Sequence, residues 1–279
     1  MKRVLLTGAG GFVGARVRQQ LAEKLELIPA PKGLMARGGE EEIARLVDRA
    51  HPDAILHTAA ISDTGYCESH PEESYRANVE LTLWLAKAAA AQKAKLVVFS
   101  SDQVYAGVER SGPLPEDMPL APANVYGCHK LEAEQRGLEL LPEAVFLRVT
   151  WLYDLPGYGL PVRGNLVLNL VRAALQGQPQ TFSPRDFRGV TYVRQAVENL
   201  LPVLELPGGV YNYGSENDLD MLETARRFCA ALDIAPTLVP GDRARNLAMD
   251  TAKARRGGVA FDTTAEGIVR CLKDYGLRG

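Results

Sequence analysis

Tyr126 and Lys130 are four residues apart in the stretch NVYGCHK, so on a helix their side chains would share one face. A free tyrosine has a pKa of about 10 and is a poor acid at neutral pH, but a neighbouring ammonium group lowers that pKa. Ser101 ends the apolar run KLVVFSS, and its hydroxyl could hydrogen-bond a substrate carbonyl and stabilise a developing alkoxide. Together the three side chains indicate proton transfer to a carbonyl oxygen, although the Tyr–Lys spacing alone is common by chance.

The stretch TGAGGFVG, residues 7–14, places Gly8, Gly11 and Gly14 three residues apart. It lies between a predicted strand and a helical pattern. A tight turn at this point needs a positive backbone φ, and bare backbone lets a pyrophosphate approach. The N-terminus of the following helix supplies free N–H groups and a partial positive charge. We therefore favour nucleotide binding over a glycine-rich loop without a ligand.

The cofactor type depends on the residues that end the second predicted strand. NAD-preferring sites usually place Asp or Glu there to accept from the ribose 2′-hydroxyl. The stretch LIPAPKG has no carboxylate, and Lys32 could instead contact a 2′-phosphate. Lys32 could equally be a solvated loop residue, so the sequence favours NADP mildly and NAD is kept as the alternative.

Strands alternate with helices along the first part of the chain, and several of the strands are apolar at every position. Such strands are typical of a parallel sheet that helices cover on both faces. The predicted strands are KRVLLTG, LELIPA, DAILHTAA, AKLVVFSS, AVFLRVTWLY and GGVYNYG. The pattern predicts an α/β fold with a Rossmann-type doubly wound parallel sheet.

The pattern loosens after about residue 155, and this change divides the predicted chain into two parts. Residues 1–155 form the predicted dinucleotide-binding domain. Residues 156–279 are predicted to be mainly substrate-binding, with about 190–214 returning to the sheet. In the second part we predict helices at NLVLNLVRAALQG, VTYVRQAVENLLPVLE and DLDMLETARRFCAALD.

The composition is that of an ordinary globular protein, with 46% hydrophobic and 24% charged residues among 279. The net charge of −2 gives no general attraction to nucleic acid or to an anionic membrane. No apolar run reaches the roughly 18 residues that span a bilayer, and the N-terminal stretch lacks the features of a signal peptide. The cysteines are scattered without CxxC spacing, so neither a metal site nor a disulfide framework is predicted. We therefore expect a cytoplasmic enzyme.

A series of stretches resembles the extended short-chain dehydrogenases/reductases, and within that superfamily the dTDP-4-dehydrorhamnose reductases. The stretches are TGAGGFVG, HPDAILHTAAIS, CESHPEESYRANVE, VVFSSDQVYAG, NVYGCHKLEAE, LRVTWLY, TYVRQAVENL and GGVYNYG. The resemblance implies that Ser101, Tyr126 and Lys130 are the catalytic triad, and that Tyr126 and Lys130 also lie at the cofactor. The other implied cofactor residues, which would cradle the pyrophosphate or flank the adenosine and ribose, are Thr7, Gly8, Gly11, Phe12, Val13, Gly14, Ala59 and Ala60.

The predicted substrate side consists of Ser62, Ser101, Trp151, Arg163 and Arg185. In the reductases that the chain resembles, a tryptophan at the position of Trp151 packs beside the sugar, but Trp151 could also be a core residue. Paired hydrogen bonds from arginine suit a diphosphate, although Arg163 and Arg185 could be surface residues that balance local acids.

Asn78, His57 and His129 also lie in the matching stretches. The resemblance implies that Asn78 helps to order the active site, and an ordinary helix position is the alternative. His57 and His129 are expected to be structural or adjacent to the cofactor rather than acid–base catalysts.

We therefore expect an NAD(P)-dependent reductase that acts on a keto group of a nucleotide-linked, dTDP-type deoxysugar. The stretch RDFRGVTYV lacks the Gln and Pro that the rhamnose-pathway enzymes usually carry there, so the sugar is left open. The alternatives are a sugar-nucleotide epimerase or dehydratase, and a non-catalytic nucleotide-binding regulatory subunit. The expected partner is a small nucleotide-sugar molecule rather than nucleic acid or a membrane, with a homodimer as a further possibility.

Overall fold

The computed structural model describes residues 1–277. Its strands are β1 (Lys2–Thr7), β2 (Leu25–Pro29), β3 (Ala54–His57), β4 (Lys95–Ser101), β5 (Val145–Val149), β6 (Trp151–Tyr153), β7 (Gln180–Phe182), β8 (Asp186–Arg188), β9 (Val190–Tyr192), β10 (Gly209–Tyr213), β11 (Leu238–Pro240) and β12 (Arg245–Leu247). Its α-helices are α1 (Phe12–Leu21), α2 (Lys32–Arg37), α3 (Glu40–Ala50), α4 (Thr64–Ser69), α5 (Pro71–Tyr75), α6 (Leu81–Gln92), α7 (Val125–Leu140), α8 (Leu166–Gln176), α9 (Val193–Glu198), α10 (Leu200–Val203), α11 (Met221–Leu232), α12 (Ala252–Arg256) and α13 (Thr264–Asp274). A π-helical turn over Arg76–Glu80 joins α5 to α6, and a 3₁₀ turn over Asp102–Tyr105 follows β4.

Six parallel strands form the central sheet in the order β10-β5-β4-β3-β1-β2. The chain adds β2 on one side of β1 and then β3, β4, β5 and β10 on the other. The strand order therefore reverses between β1 and β3, whose carboxyl ends pair Thr7 with His57. Open α/β sheets bind their ligands at such a reversal. The predicted α/β fold with a Rossmann-type parallel sheet is confirmed.

The central strands are buried on both faces because successive side chains point to opposite sides of a sheet. Val4 and Leu6 of β1 pack on one face with Val17 of α1, whereas Leu5 packs on the other with Ile43 of α3. Helices α1, α9 and α10 cover the first face, and α3 and α6 cover the second. Full burial of a Val or Leu side chain contributes roughly 1.5–3 kcal/mol, so this layered core holds the carboxyl edge of the sheet in place.

The second half of the chain adds short strand pairs that the sequence pattern did not predict. Within residues 1–277, three two-stranded parallel pairs stand outside the central sheet: β6–β9, β7–β11 and β8–β12. The pairs β6–β9 and β7–β11 pack with α8, α11 and α13 around a core that includes Tyr153, Leu170, Phe228 and Ile268. This packing gives the C-terminal half a hydrophobic cluster separate from those of the sheet. Leu247 of β12 packs instead with Val104 and Tyr105.

Two predicted elements were wrong in their extent, and both errors fall where the chain leaves the central sheet. AVFLRVTWLY is not one strand, because Thr150 separates β5 from β6, with its Oγ1 2.5 Å from the Oγ1 of Thr191. The helix predicted from Val190 begins only at Val193, since Val190–Tyr192 pairs with β6 as β9. The β-branched side chains of Val190 and Thr191 suit a strand.

Two further features of the structure are the state of its cysteines and the apolar character of its helices. Cys67, Cys128, Cys229 and Cys271 are all free thiols, and Cys128 is the exposed one among them. In the part of the chain that is described, no helix combines the length and the apolar character needed to cross a bilayer.

Candidate active site

The glycine turn connects β1 to α1 at the carboxyl edge of the central sheet. Gly8 has a φ of +68°, and a Cβ at this position would lie 2.7 Å from Ala59 N. A Cβ on Gly14 would lie 2.1 Å from Gly8 O, so α1 approaches the turn this closely only with glycine at that position. Gly11 N donates to Gly8 O at 2.8 Å and closes the turn. Backbone packing alone therefore requires two of the three spaced glycines.

The N-terminus of α1 offers backbone donors above this turn. No described side chain caps the helix, and its first turn contains no acidic residue. The N–H groups of Phe12, Val13 and Gly14 lack acceptors within the helix, and the helix dipole adds a partial positive charge there. These donors, next to backbone without a Cβ at Gly8, fit the pyrophosphate of a dinucleotide.

Thr7 and His57 join the ends of β1 and β3 beneath the glycine turn. Thr7 Oγ1 lies 2.7 Å from His57 Nδ1 and accepts from Ala59 N at 3.3 Å. Burial, reinforced by the positive charge of Lys130, lowers the pKa of His57 to about 3. His57 is therefore neutral at physiological pH and holds Thr7 instead of exchanging protons. Ala59 is half-buried and Ala60 is exposed beside the turn.

Helix α7 is held close to the end of β4 by its first residues. Asn124 Oδ1 accepts from Gly127 N at 2.8 Å and caps the helix, so α7 begins at Val125. A Cβ on Gly127 would lie 2.3 Å from Gln103 O. Glycine at this position therefore lets α7 approach the 3₁₀ turn that follows Ser101.

Ser101, Tyr126 and Lys130 meet at the end of β4. Ser101 is the last residue of β4, and Lys130 Nζ lies 5.8 Å from the centre of the Tyr126 ring on α7. Burial raises the pKa of Tyr126 above its ordinary value, while a hydrogen bond with Ser101 and the charge of Arg163 lower it. Tyr126 is therefore protonated at neutral pH, as a proton donor must be.

Lys130 is buried behind Tyr126. Its Nζ donates to Phe99 O at 2.9 Å. Burial lowers the pKa of Lys130 to about 8, and the negative charge of Glu134 acts in the opposite direction. Glu134 lies one turn further along α7 and accepts from Ser100 Oγ at 2.5 Å and from Arg148 Nη2 at 2.7 Å. Lys130 therefore keeps most of its positive charge at pH 7.

Asn78 lies on the π-helical turn, and its contacts tie that turn to neighbouring elements. Its buried amide Nδ2 donates to Ile61 O at 2.8 Å and to Ser74 Oγ at 3.2 Å. Ser74 Oγ in turn lies 2.9 Å from His129 Nδ1 on α7. Burial lowers the pKa of His129, which favours its neutral form in this contact. A role for Asn78 in ordering the active site stays a prediction.

Arg163 and Ser62 lie on segments that face each other across the carboxyl edge of the sheet. Arg163 Nη1 donates to Ser62 Oγ at 2.7 Å, and the backbone of Arg163 is held by Asn165 Nδ2 at 3.1 Å. The charge of Arg163 also lowers the pKa of Tyr126. Arg163 therefore lies beside the triad, whereas Arg185 contacts a different part of the chain.

A cleft of about 300 Å³ opens between β6 and the short strand pairs, and we call it the arginine cleft. Its aromatic and charged lining residues are Trp151, Phe182, Asp186, Arg188, Asp242, Arg243 and Arg245. The exposed side chain of Arg185 donates to the backbone oxygen of Asp242. Of the two predicted substrate residues, Trp151 lines the cleft, whereas Arg185 only contacts the backbone of a lining residue.

The guanidinium groups of the cleft differ in their partners. Arg245 forms two bonds to the carboxylate of Asp186, at 2.9 and 2.6 Å. Arg243 forms no ion pair with any residue in the described range 1–277, and the charge of Arg245 followed by burial lowers its pKa. A guanidinium without a carboxylate partner in a concave site suits an anion such as a diphosphate.

Lys32 is exposed at the first position of α2, directly beyond the end of β2. A Cβ on Gly33 would lie 3.6 Å from Arg37 Nη2, so the Arg37 guanidinium folds back toward the start of the helix. The first turn of α2 contains no acidic residue. The sequence analysis did not select Arg37, whose guanidinium lies near the start of the same helix as Lys32.

The sequence analysis also missed Asp102, Asp186, Arg243 and Arg245 as site residues. The stretch GDRAR at 241–245 carries a visible concentration of charge. Its position in the site depends on the pairing of β12 with β8, for which three-residue strands give almost no pattern.

A family model and several curated relatives match the chain. The model described as RmlD substrate binding domain matches residues 1–275. A dTDP-4-dehydrorhamnose reductase of Mycolicibacterium smegmatis is 34% identical over 152 residues, which cover 54% of this chain and 46% of that protein. Methionine adenosyltransferase 2 subunit beta of Bos taurus is 34% identical over 160 residues, covering 54% of this chain and 47% of that protein. The match thus spans about half the length of these relatives.

A solved structure extends the likeness to the whole chain. The crystal structure of dTDP-4-dehydrorhamnose reductase from Bacillus anthracis in complex with NADP has a TM-score of 0.87 at 23% identity, covering 98% of this chain and 99% of that one. At this identity the likeness establishes the fold. The predicted resemblance to the extended short-chain dehydrogenases/reductases is confirmed by the family match and by this fold.

Proposed function

The chain belongs to the RmlD substrate binding domain family, and from this we propose that it is an NAD(P)-dependent oxidoreductase reducing a keto group on a nucleotide-linked, dTDP-type deoxysugar. The observation that carries the proposal is the position of Tyr126 and Lys130 on α7 next to Ser101 at the end of β4. A proton donor, a hydroxyl for the carbonyl oxygen and a buried cation are the groups that carbonyl reduction requires.

The triad residues would have distinct roles in the reaction. Ser101 would hydrogen-bond the carbonyl oxygen and Tyr126 would give that oxygen its phenolic proton. Lys130 would stabilise the phenolate that remains, because its ammonium group lies 5.8 Å from the centre of the ring. When bound, the nicotinamide supplies the hydrogen and the two electrons that reduce the carbonyl carbon.

The glycine turn and the start of α1 would hold the cofactor. The residues around the pyrophosphate would be Thr7, Gly8, Gly11, Phe12, Val13 and Gly14. Ala59 and Ala60 would flank the adenosine and its ribose, and Lys130 would also contact the nicotinamide ribose. Lys32 and Arg37 would meet a 2′-phosphate, which supports NADP as the preferred cofactor.

The sugar would lie between the triad and Trp151, with Ser62 and Arg163 at its other side. The diphosphate would lie in the arginine cleft, where Arg243 has no carboxylate partner among the described residues. On this proposal residues 1–155 bind the dinucleotide and residues 156–279 mainly bind the substrate. The four free thiols support a reducing compartment such as the cytoplasm.

A non-catalytic regulatory subunit is the second candidate, favoured by the 34% identity to the bovine methionine adenosyltransferase subunit. A subunit without turnover has no requirement for a tyrosine, a lysine and a serine gathered at the end of one strand. The reductase proposal accounts for this arrangement, whereas the regulatory one leaves it without a use.

The deciding experiment is NADPH oxidation with a panel of nucleotide-linked 4-keto and 4-hydroxy sugars. A reductase consumes one NADPH for each keto sugar, whereas an epimerase converts its substrate with no net consumption. Product analysis by mass spectrometry checks the gain of two hydrogens. No turnover of any keto sugar, in protein that binds NADPH by calorimetry, would leave the regulatory candidate standing.

A further inference from the structure

Asp102 follows Ser101 directly and forms a buried ion pair with the C-terminal half. Its Oδ2 accepts from Arg188 Nη2 at 2.5 Å, and the side chains are 2% and 11% exposed. A buried pair of this kind is strongly destabilised when one partner alone is removed, since the other charge is left uncompensated. A movement of the Arg188 side chain would therefore displace the Asp102 carboxylate.

The other carboxylate oxygen of Asp102 connects to both elements that carry the triad. Oδ1 accepts from Ser101 Oγ at 3.4 Å and from Gln103 Nε2 at 3.2 Å. Gln103 Oε1 then accepts from Asn124 Nδ2 at 3.3 Å, and Asn124 is the cap of α7. One carboxylate thus reaches Ser101 directly and the start of the Tyr126 helix through two side chains.

Arg188 faces the arginine cleft on its other side. Its guanidinium carbon lies 5.3 Å from the centre of the Trp151 ring. Its Nε is buried and has no hydrogen-bond partner within the described range. The backbone of Arg188 is fixed, because β8 pairs with β12 and Asn217 Nδ2 donates to Arg188 O at 2.9 Å. The side chain is therefore the part that can respond to an anion in the cleft.

We propose that the Asp102–Arg188 pair couples filling of the arginine cleft to the position of Ser101 and Tyr126. A diphosphate that attracts the Arg188 guanidinium displaces the Asp102 carboxylate. This displacement repositions Ser101 directly and the start of α7 through Gln103 and Asn124. Arg188 is then a specificity-determining residue, and Asp102 is a positioning residue. A keto compound without a diphosphate would react in a site where Ser101 and Tyr126 are less precisely positioned. The inference rests on the proposed function.

Asp186 and Arg245 provide a matched control in the same cleft. Their ion pair is also largely buried and bidentate, with side chains 10% and 14% exposed. Among the described residues, no hydrogen bond or ion pair joins Asp186 or Arg245 to Ser101 or to α7. The control therefore perturbs the cleft without removing a member of the hydrogen-bonded route from Arg188 to Ser101 and α7.

The first test compares Asp102→Asn with Asp186→Asn, measuring kcat and KM for the nucleotide sugar. Asp102→Asn should lower kcat about tenfold or more with a smaller change in KM, because misplacement of a reacting group costs rate. Asp186→Asn should act mainly on KM. Equal kcat losses in the two variants would overturn the inference.

A double variant covers the case in which Asp102→Asn does not fold. Asp102→Asn with Arg188→Gln removes both charges, so no buried charge is left without a partner. Its melting temperature should approach that of the unmodified protein while the kcat loss persists. A double variant with full kcat would show that the pair serves stability alone.

A binding measurement separates this inference from the proposed function. Trp84 and Trp151 are the two tryptophans of the chain, so Trp84→Phe leaves Trp151 as the sole reporter beside Arg188. Thymidine diphosphate should change the Trp151 emission, and Asp102→Asn should alter that change. Binding by calorimetry with the same emission response in both backgrounds would refute the coupling even if keto sugars are reduced. If the expected emission response is observed but no keto sugar is reduced, the proposed function is refuted instead.

Discussion

On the proposed function, the glycine turn and the arginine cleft both bind phosphate groups, but they use different parts of the chain. At the glycine turn, the donors are backbone N–H groups of consecutive residues at the start of α1. In the arginine cleft, the donors are guanidinium groups on β8, β12 and the loop between β11 and β12. Backbone donors are fixed by the fold and can bind the pyrophosphate of any dinucleotide. Side-chain donors can be replaced one at a time by substitution without moving the sheet. The first region is therefore suited to a common cofactor and the second to a particular substrate.

Replacing the proposed proton donor should abolish most turnover while the binding of cofactor and of substrate stays intact. Tyr126→Phe keeps the buried ring and removes only the hydroxyl, so kcat should fall roughly 10²–10⁴-fold. Cofactor and thymidine diphosphate affinities, measured by calorimetry, should stay within about twofold of the unmodified protein. An affinity loss as large as the rate loss would identify Tyr126 as a structural residue.

A side chain on the glycine turn should disable the first region alone. Gly11→Val places methyl groups where the pyrophosphate approaches, and dinucleotide affinity should fall by about a hundredfold. Gly10→Val is the comparison, because a Cβ there meets no protein atom within 4 Å. Calorimetry with NADPH measures both variants. Equal losses at the two positions would point to general disturbance of the turn, and no loss in folded Gly11→Val would place the cofactor elsewhere.

Removing an unpaired guanidinium should disable the second region alone. Arg243→Ala should raise the KM for the nucleotide sugar about tenfold, because a hydrogen bond to a charged group is worth roughly 1.5–3 kcal/mol. The same variant should leave the KM for NADPH unchanged. Arg226→Ala is the control, since Arg226 is an exposed residue that pairs with Glu223 on α11. A normal substrate KM in Arg243→Ala would mean that the diphosphate binds outside the arginine cleft.

Titration of Lys130 should distinguish the triad from the cleft by pH. Burial lowers the pKa of Lys130 to about 8, so its charge is lost above that pH and kcat should fall up to about tenfold by pH 9. Stability should change in the opposite direction. The folded-state pKa lies below the ordinary 10.5, so between about pH 8 and 10.5 the unfolded chain binds more protons and the free energy of unfolding rises with pH.

Lys130→Arg provides the control for this pH dependence, because arginine stays charged throughout the range. Its kcat profile, whatever its absolute level, should lack the fall above pH 8. Persistence of that fall in Lys130→Arg would assign it to another group.

The smallest expected effect concerns the preference of the cofactor site for NADPH over NADH. NADPH should be used at least as well as NADH, and Lys32→Ala should lower kcat/KM for NADPH about two- to fivefold, as expected for one exposed charge. Lys24→Ala is the matched control, because Lys24 is exposed at the opposite, amino end of β2. A clear NADH preference in the unmodified protein would make Lys32 an ordinary surface residue.

Sequence patterns succeeded where a site is made from neighbours along the chain. The strand, the glycine turn and α1 are contiguous, and backbone geometry dictates Gly8 and Gly14. Fully apolar strands could be assigned to a parallel sheet because such strands must be buried on both faces. The pattern failed at β6 and β9, since three residues carry too little periodicity to mark a strand.

Contacts between distant residues were decided by the tertiary structure alone. Asp102 and Arg188 are 86 positions apart, and Asp186 and Arg245 are 59 apart. The sequence by itself determined which residues could carry charge, accept a proton or let backbone approach, because these properties belong to residue types and local geometry. Only the folded chain decided which arginines pair with a carboxylate and which, like Arg243, form no ion pair within residues 1–277. An ion pair depends on distances of a few ångströms, and these follow from the packing of β8 against β12 rather than from composition.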